Sequence, residues 1–308
     1  MTNQSGHPSH HNARAYTLLV LTMLCWSSNA ILSRIAVGEI SPMLLVSLRW
    51  LGSVLLVLAF ARHYVFRDWP VLKKHLRLFA AMGALGFAAF NALFYVAAHH
   101  TTGVNIGIIQ GAMPVWVLIG AFAAYRTPVT KAQMAGVAVT LTGVIIVASA
   151  GSLERLLALS INKGDALLIL ATMLYAGYAV GLHRRPNVSA LGLFTILAIS
   201  AFFTSLPLVA AEYALGKLLW PTPTGWFVAG MVTLFPSFLA QLFFMNGVAL
   251  IGPGRAALFG NLVPVFVPIL AILILGESFE IFHAVGLALV LGGIWLAEQT
   301  KRTSQEKR

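Results

Sequence analysis

The stretch FGNLVPVFVPIL, residues 259–270, sets a glycine, an asparagine and two prolines inside an apolar run long enough to be buried. Its counterpart lies 150 positions earlier, where PVWVLIGA from Pro114 matches PVFVPILA from Pro264. The same offset pairs Thr22-Met23-Leu24 with Thr172-Met173-Leu174, Leu32 with Leu182, Arg34 with Arg184 and Phe94 with Phe244. It also pairs Gly136 and Gly143 with Gly286 and Gly293. One constant offset across several apolar segments indicates an internal repeat of half the chain.

Composition decides what solvent these segments expect. Hydrophobic residues make up 59% of the 308 and charged residues only 9%, far from a soluble globular mixture. Apolar windows of about 20 residues, each able to cross roughly 30 Å of hydrocarbon as a helix, begin near Tyr16, Pro42, Arg77, Thr102, Lys131, Gly164, Ser189, Gly225, Gly254 and Phe279. The expected fold is an all-α integral membrane protein of ten transmembrane helices, with little chain left for a soluble domain. Five spans fall in each repeat, over 16–150 and 164–298, between cytoplasmic tails 1–15 and 299–308. An odd number of spans per repeat inverts the second half relative to the first, a construction that secondary transporters use for alternating access.

Charge placement supports that count. With the amino terminus inside, Arg14, the group from Arg62 to Arg77, Arg126, Lys131, Arg184, Arg185, Arg255 and the tail lysines and arginines all fall on the cytoplasmic side. Only Arg155, Lys163 and Lys217 fall in outside loops. The net charge of +11 is thus spread over loops and not gathered into a nucleic-acid patch.

The single cysteine, Cys25, excludes an internal disulfide or a cysteine metal site. His7, His10 and His11 read as a polar tail, and no metal or cofactor site is expected. GPGRAA at 252–257 imitates a nucleotide loop but follows no strand, so it reads as a turn between spans. No span pairs a nucleophile with a base, which disfavours an enzyme.

Proline removes an amide donor and clashes with the carbonyl four residues earlier. Pro114, Pro264 and Pro268 are therefore expected to break the fourth and ninth spans, at sites buried in protein or facing a wet cavity. Uncharged polar and aromatic residues cluster nearby: Gln110 and Asn261 before the prolines, Asn91 and Gln241 at equivalent places in the third and eighth spans, and Tyr95 and Phe244 one turn beyond. Trp26 and Tyr178 are further candidates, beside Asn29 and Tyr175. Together these could hold a small solute through amides, freed carbonyls and ring faces. Asp and Glu are absent from the middle third of every span, which argues against carriage of lipophilic cations and against proton exchange at a central carboxylate. Arg49 is the one deep charge and reads as structural, bonding carbonyls or snorkelling outward, with anion binding the alternative; His99 and His100 read as interfacial.

CWSSNAILSRI (25–35) followed by SPMLLVSLRW (41–50), with Pro264, Gly276-Glu277, Gly286 and Gly293 near the end, resembles the EamA-type members of the drug/metabolite transporter superfamily. The resemblance covers about residues 16–298; Arg126-Thr127 departs from it where Gly-Glu is usual. It implies a ten-helix bundle whose third, fourth, eighth and ninth spans surround a central cavity. It also implies a likeness to bacterial exporters of aromatic and other neutral amino acids. The expected partners are the lipid bilayer of the inner membrane and a small metabolite, with the chain a monomer or homodimer. Efflux of hydrophobic drugs is the alternative.

Overall fold

The computed structural model describes residues 8–126, 129–154, 162–182, 185–251, 256 and 258–305, with side chains over 13–126, 129–154, 162–182, 185–251, 256 and 259–296. Every regular element among them is helical. In chain order these are α1 (Pro8–Ile35), α2 (Pro42–Leu72), α3 (Leu76–Gly83), α4 (Phe90–Ala98), α5 (Gly103–Gln110), α6 (Met113–Tyr125), α7 (Lys131–Ala148) and α8 (Lys163–Gly181). They continue with α9 (Ala190–Ala214), α10 (Pro223–Val232), α11 (Ala240–Ile251), α12 (Val263–Leu275) and α13 (Ile281–Gln305). Among the described residues seven helical runs are long and apolar enough to cross a membrane, and two shorter apolar helices, Phe259–Leu275 and Ile281–Leu296, follow them. Large apolar side chains cover the outside, with Phe60 73% and Leu273 76% exposed, as suits a surface facing lipid tails. The chain is a multi-pass membrane protein.

Local chemistry sets the helix starts. Thr102, Ser189 and Thr222 accept from the backbone N–H three residues on, and Thr130 with Gln133 forms a capping box. Several boundaries differ from the sequence expectation. The first helix already begins at Pro8, and the last runs to Gln305, because polar residues continue a helix once an apolar segment has nucleated it. The polar stretch from Arg62 to Arg77 is helical throughout, as α2 to Leu72, a 3₁₀ turn over Lys73–His75 and the start of α3, with a kink at Ala61 (φ −138°, ψ 16°) just before it. Asp68 there is buried and accepts from the Ser189 N–H at 2.7 Å, tying this stretch to the start of α9. Arg184, Thr127 and the turn residues 252–255 lie outside the described residues.

Several features recur at positions about 150 apart. A π-helical segment occupies Ala84–Ala89 between α3 and α4, and another occupies Thr233–Leu239 between α10 and α11. Left-handed caps end α6 at Arg126 (φ 52°) and α12 at Gly276 (φ 65°). Packing is exchanged in the same manner: α1 packs on α11 and α12, while α8 packs on α4 and α6. The counterpart pair α7 and α13 packs most closely, since a Cβ on Gly143 would stand 2.7 Å from the Gly286 carbonyl oxygen.

Candidate functional site

The deepest polar cluster is built on Arg49, seven residues into α2 and so about 10 Å along it. The residue is 6% exposed. Its Nη1 donates to Asn29 Oδ1 on α1 (2.7 Å), and to Asn91 Oδ1 (3.0 Å) and Tyr95 Oη (2.7 Å) on α4. Tyr95 also donates to Asn29 Oδ1 at 3.1 Å, and Asn91 Nδ2 to the Phe87 carbonyl at 2.8 Å. The guanidinium thus neither bonds backbone carbonyls nor snorkels outward, but turns inward to side chains on two other helices. Among the described residues no carboxylate lies within 4.0 Å of it, and Nε has no partner. A buried charge held only by neutral groups is costly, and an anion that pairs with it recovers much of that cost.

An aromatic wall adjoins the cation. Trp50 lies 5.1 Å from the guanidinium carbon and stacks on Phe87 at 4.7 Å. Phe87 meets Tyr178 edge-on at 5.1 Å, and Tyr178 meets Tyr175 at 5.3 Å. The wall passes along the π-helical segment, where Gly86 lets the backbone touch the Tyr178 ring. Trp26 on α1 and Phe244 on α11 form a separate pair at 5.3 Å. Asn91, Tyr95 and Tyr178 thus gather around Arg49 and its wall, while Trp26 pairs elsewhere with Phe244. Gln110, Gln241 and Asn261 are half-buried, and their amides bond to no other described residue.

The prolines act differently from one another. Pro114 and Pro264 each take the second position of α6 and α12, where the missing N–H is one no helix would have used. The interruptions stand just before them, at Gly111–Ala112 and at the 3₁₀ segment Leu258–Leu262. Pro268 does not break its helix, correcting the sequence reading; it sits buried within continuous α12, against Gly107. Pro114→Ala and Pro264→Ala should accordingly leave both interruptions in place. Thermal unfolding in detergent should then change by no more than about 1 kcal/mol in stability, and a gain above that would mean the prolines themselves hold the gaps open.

A second polar junction joins four elements. Glu277, just after α12, accepts from the N–H groups of Gly103 (2.8 Å) and Val104 (2.9 Å) at the start of α5 and lies 3.6 Å from Arg34 Nε. Arg34 also donates to the Ala98 carbonyl at the end of α4.

Comparison with known proteins agrees with this architecture. A solved crystal structure superposes with a TM-score of 0.62 at 17% identity, covering 94% of this chain and 98% of its own. The chain is 29% identical over 237 residues to the uncharacterized transporter YyaM of Bacillus subtilis (strain 168), spanning 73% of this chain and 74% of that protein. It is 27% identical over 301 residues to YetK of the same organism, also named an uncharacterized transporter, covering 94% and 88%. The inner membrane transporter YedA of Escherichia coli (strain K12) is 24% identical over 279 residues, covering 89% and 87%. The EamA-like transporter family matches residues 13–149 and again 162–298, and the chain belongs to that family.

Proposed function

We propose that this transporter exports small zwitterionic metabolites, amino acids including aromatic ones, across the bacterial inner membrane by alternating access. Its ten spans form two inverted repeats, in which α2 ends a first hairpin and α3 with α4 returns across the bilayer. The recurring π segments, the left-handed caps and the exchanged packing of α1 and α8 support that arrangement. Both termini are cytoplasmic, so a cysteine at Lys74 should react only with reagent on that side. Labelling of it from outside intact cells would overturn the topology.

The observation that carries the substrate class is Arg49, buried with neutral partners and a free Nε. A carboxylate can take that guanidinium edge, and the ring wall of Trp50, Phe87 and Tyr178 can take an apolar side chain. Lipophilic cations would be repelled there. Counterflow in proteoliposomes with labelled neutral amino acids tests this reading: they should exchange and compete with one another. Competition by cationic dyes, with none by zwitterions, would favour drug efflux instead.

A further inference from the structure

A second buried charge stands apart from Arg49. Asp165, in the first turn of α8, is 1% exposed. Its carboxylate accepts from Thr101 Oγ1 and from Asn105 Nδ2, at 3.3 Å to Oδ1 and 3.1 Å to Oδ2. The amide of Asn105 continues the chain, because its Oδ1 lies 3.1 Å from His283 Nε2 on α13. His283 Nδ1 accepts from the Glu280 N–H at 2.9 Å, so the ring carries its proton on Nε2 and donates to Asn105. Donors therefore run in one direction, from Glu280 through His283 and Asn105 to Asp165.

This carboxylate is not a helix cap. Asn162 already accepts from the Gly164 N–H, and the bonds of Asp165 go to other elements. Among the described residues no cation lies within 4.0 Å of it. A cavity of about 450 Å³ adjoins it, lined by His100, Asn105, Asn162 and Lys163 among others. In the orientation proposed above this cavity belongs to the outer side. Every contact of the carboxyl can serve both charge forms. The ionised form accepts from Thr101 and Asn105; the protonated form can donate to the Thr101 hydroxyl while still accepting from Asn105.

We propose that Asp165 is a protonatable coupling site: it takes a proton from the outer cavity and carries it against the outward movement of the solute. No bond other than O–H forms or breaks. Lys163 on its own helix and His100 in the turn after α4 line the same cavity, and His283 on α13, bonded by Glu280, reaches it through Asn105; His99, Arg34 and Glu277 belong to the adjoining junction. His99 is held below the usual imidazole range by burial, then by His100 and Arg34. α5 carries no titratable side chain, and the one on α7, Lys131, stands at that helix's first residue.

The inference rests on the transport reading, and two measurements separate the failure of each. Infrared difference titration of the full-length protein in lipid should show a carboxyl C=O band that is absent in Asp165→Asn; this needs no cargo. In proteoliposomes a pH gradient should stimulate movement of labelled phenylalanine by wild type about tenfold. Asp165→Asn should lose that stimulation yet keep counterflow, and Asn105→Ala should shift the titration midpoint without removing the band. A band that persists in Asp165→Asn, or undiminished stimulation in that variant, overturns the coupling role. If wild type moves no phenylalanine but the band behaves as stated, the cargo assignment fails and the protonation site stands. Should Asp165→Asn not fold, an unshifted midpoint in Asn105→Ala overturns the proposal.

Discussion

Replacing Arg49 with methionine is expected to collapse zwitterion binding while leaving the fold intact. Removing one partner of a buried, hydrogen-bonded charge pair costs about 2–5 kcal/mol, on the order of 30-fold to several thousand-fold in apparent affinity. The fold should tolerate the change because most of the cluster survives. Tyr95 still donates to Asn29, and Asn91 still donates to the Phe87 carbonyl; of the three oxygens that lose the guanidinium, only that of Asn91 is left without a partner. That loss is offset by no longer burying an unpaired charge, and apolar replacement of buried ions is often neutral or stabilising. Arg49→Lys should fall between, since a single ammonium cannot present the planar Nε edge. Concentration dependence of counterflow beside a melting curve separates the two effects. An unchanged half-saturation concentration in well-folded Arg49→Met protein would remove the carboxylate from Arg49.

Different parts of this molecule were legible in the sequence to different degrees. The interruptions in the fourth and ninth spans could be located because proline and glycine carry backbone signatures. Their mechanism could not, because whether a proline starts a helix or bends one depends on where the preceding turn tightens. The π segments at Ala84–Ala89 and Thr233–Leu239 left no mark, since an extra residue per turn inside an apolar run needs no special side chain. Asn91 and Tyr95 could be singled out from their shared face on one helix. Their meeting with Arg49 and Asn29 required three helices to converge, which periodicity along one segment does not report. Asp165 stands at the start of a span, where its sequence position alone does not separate burial from exposure. Its burial comes from Thr101 and Asn105, which fold over it from outside its own span.

The Glu277 junction leads to the other large expected effect. Its carboxylate caps two N–H groups at the start of α5 and lies beside Arg34, so it holds together the ends of α1, α4, α5 and α12. In the proposed topology all four ends are on the outer side, and the solute cannot leave outward while they are joined. At the matching sequence position the first repeat carries Thr127 and not a carboxylate. In that topology an outer junction of this kind favours a closed outer face. Hydrogen bonds to charged groups contribute about 1.5–3 kcal/mol each. Glu277→Ala, which removes two of them, should raise the outward-open population on the order of 100-fold or more. Ile106 on α5 is fully buried and reports the change. With Cys25→Ser as background, Ile106→Cys should react with an impermeant thiol reagent far faster from outside once Glu277 is replaced. Glu277→Gln, which keeps an acceptor oxygen but loses the charge, should give an intermediate rate. Equal labelling rates with and without Glu277 would show that the outer face is held shut by apolar packing alone.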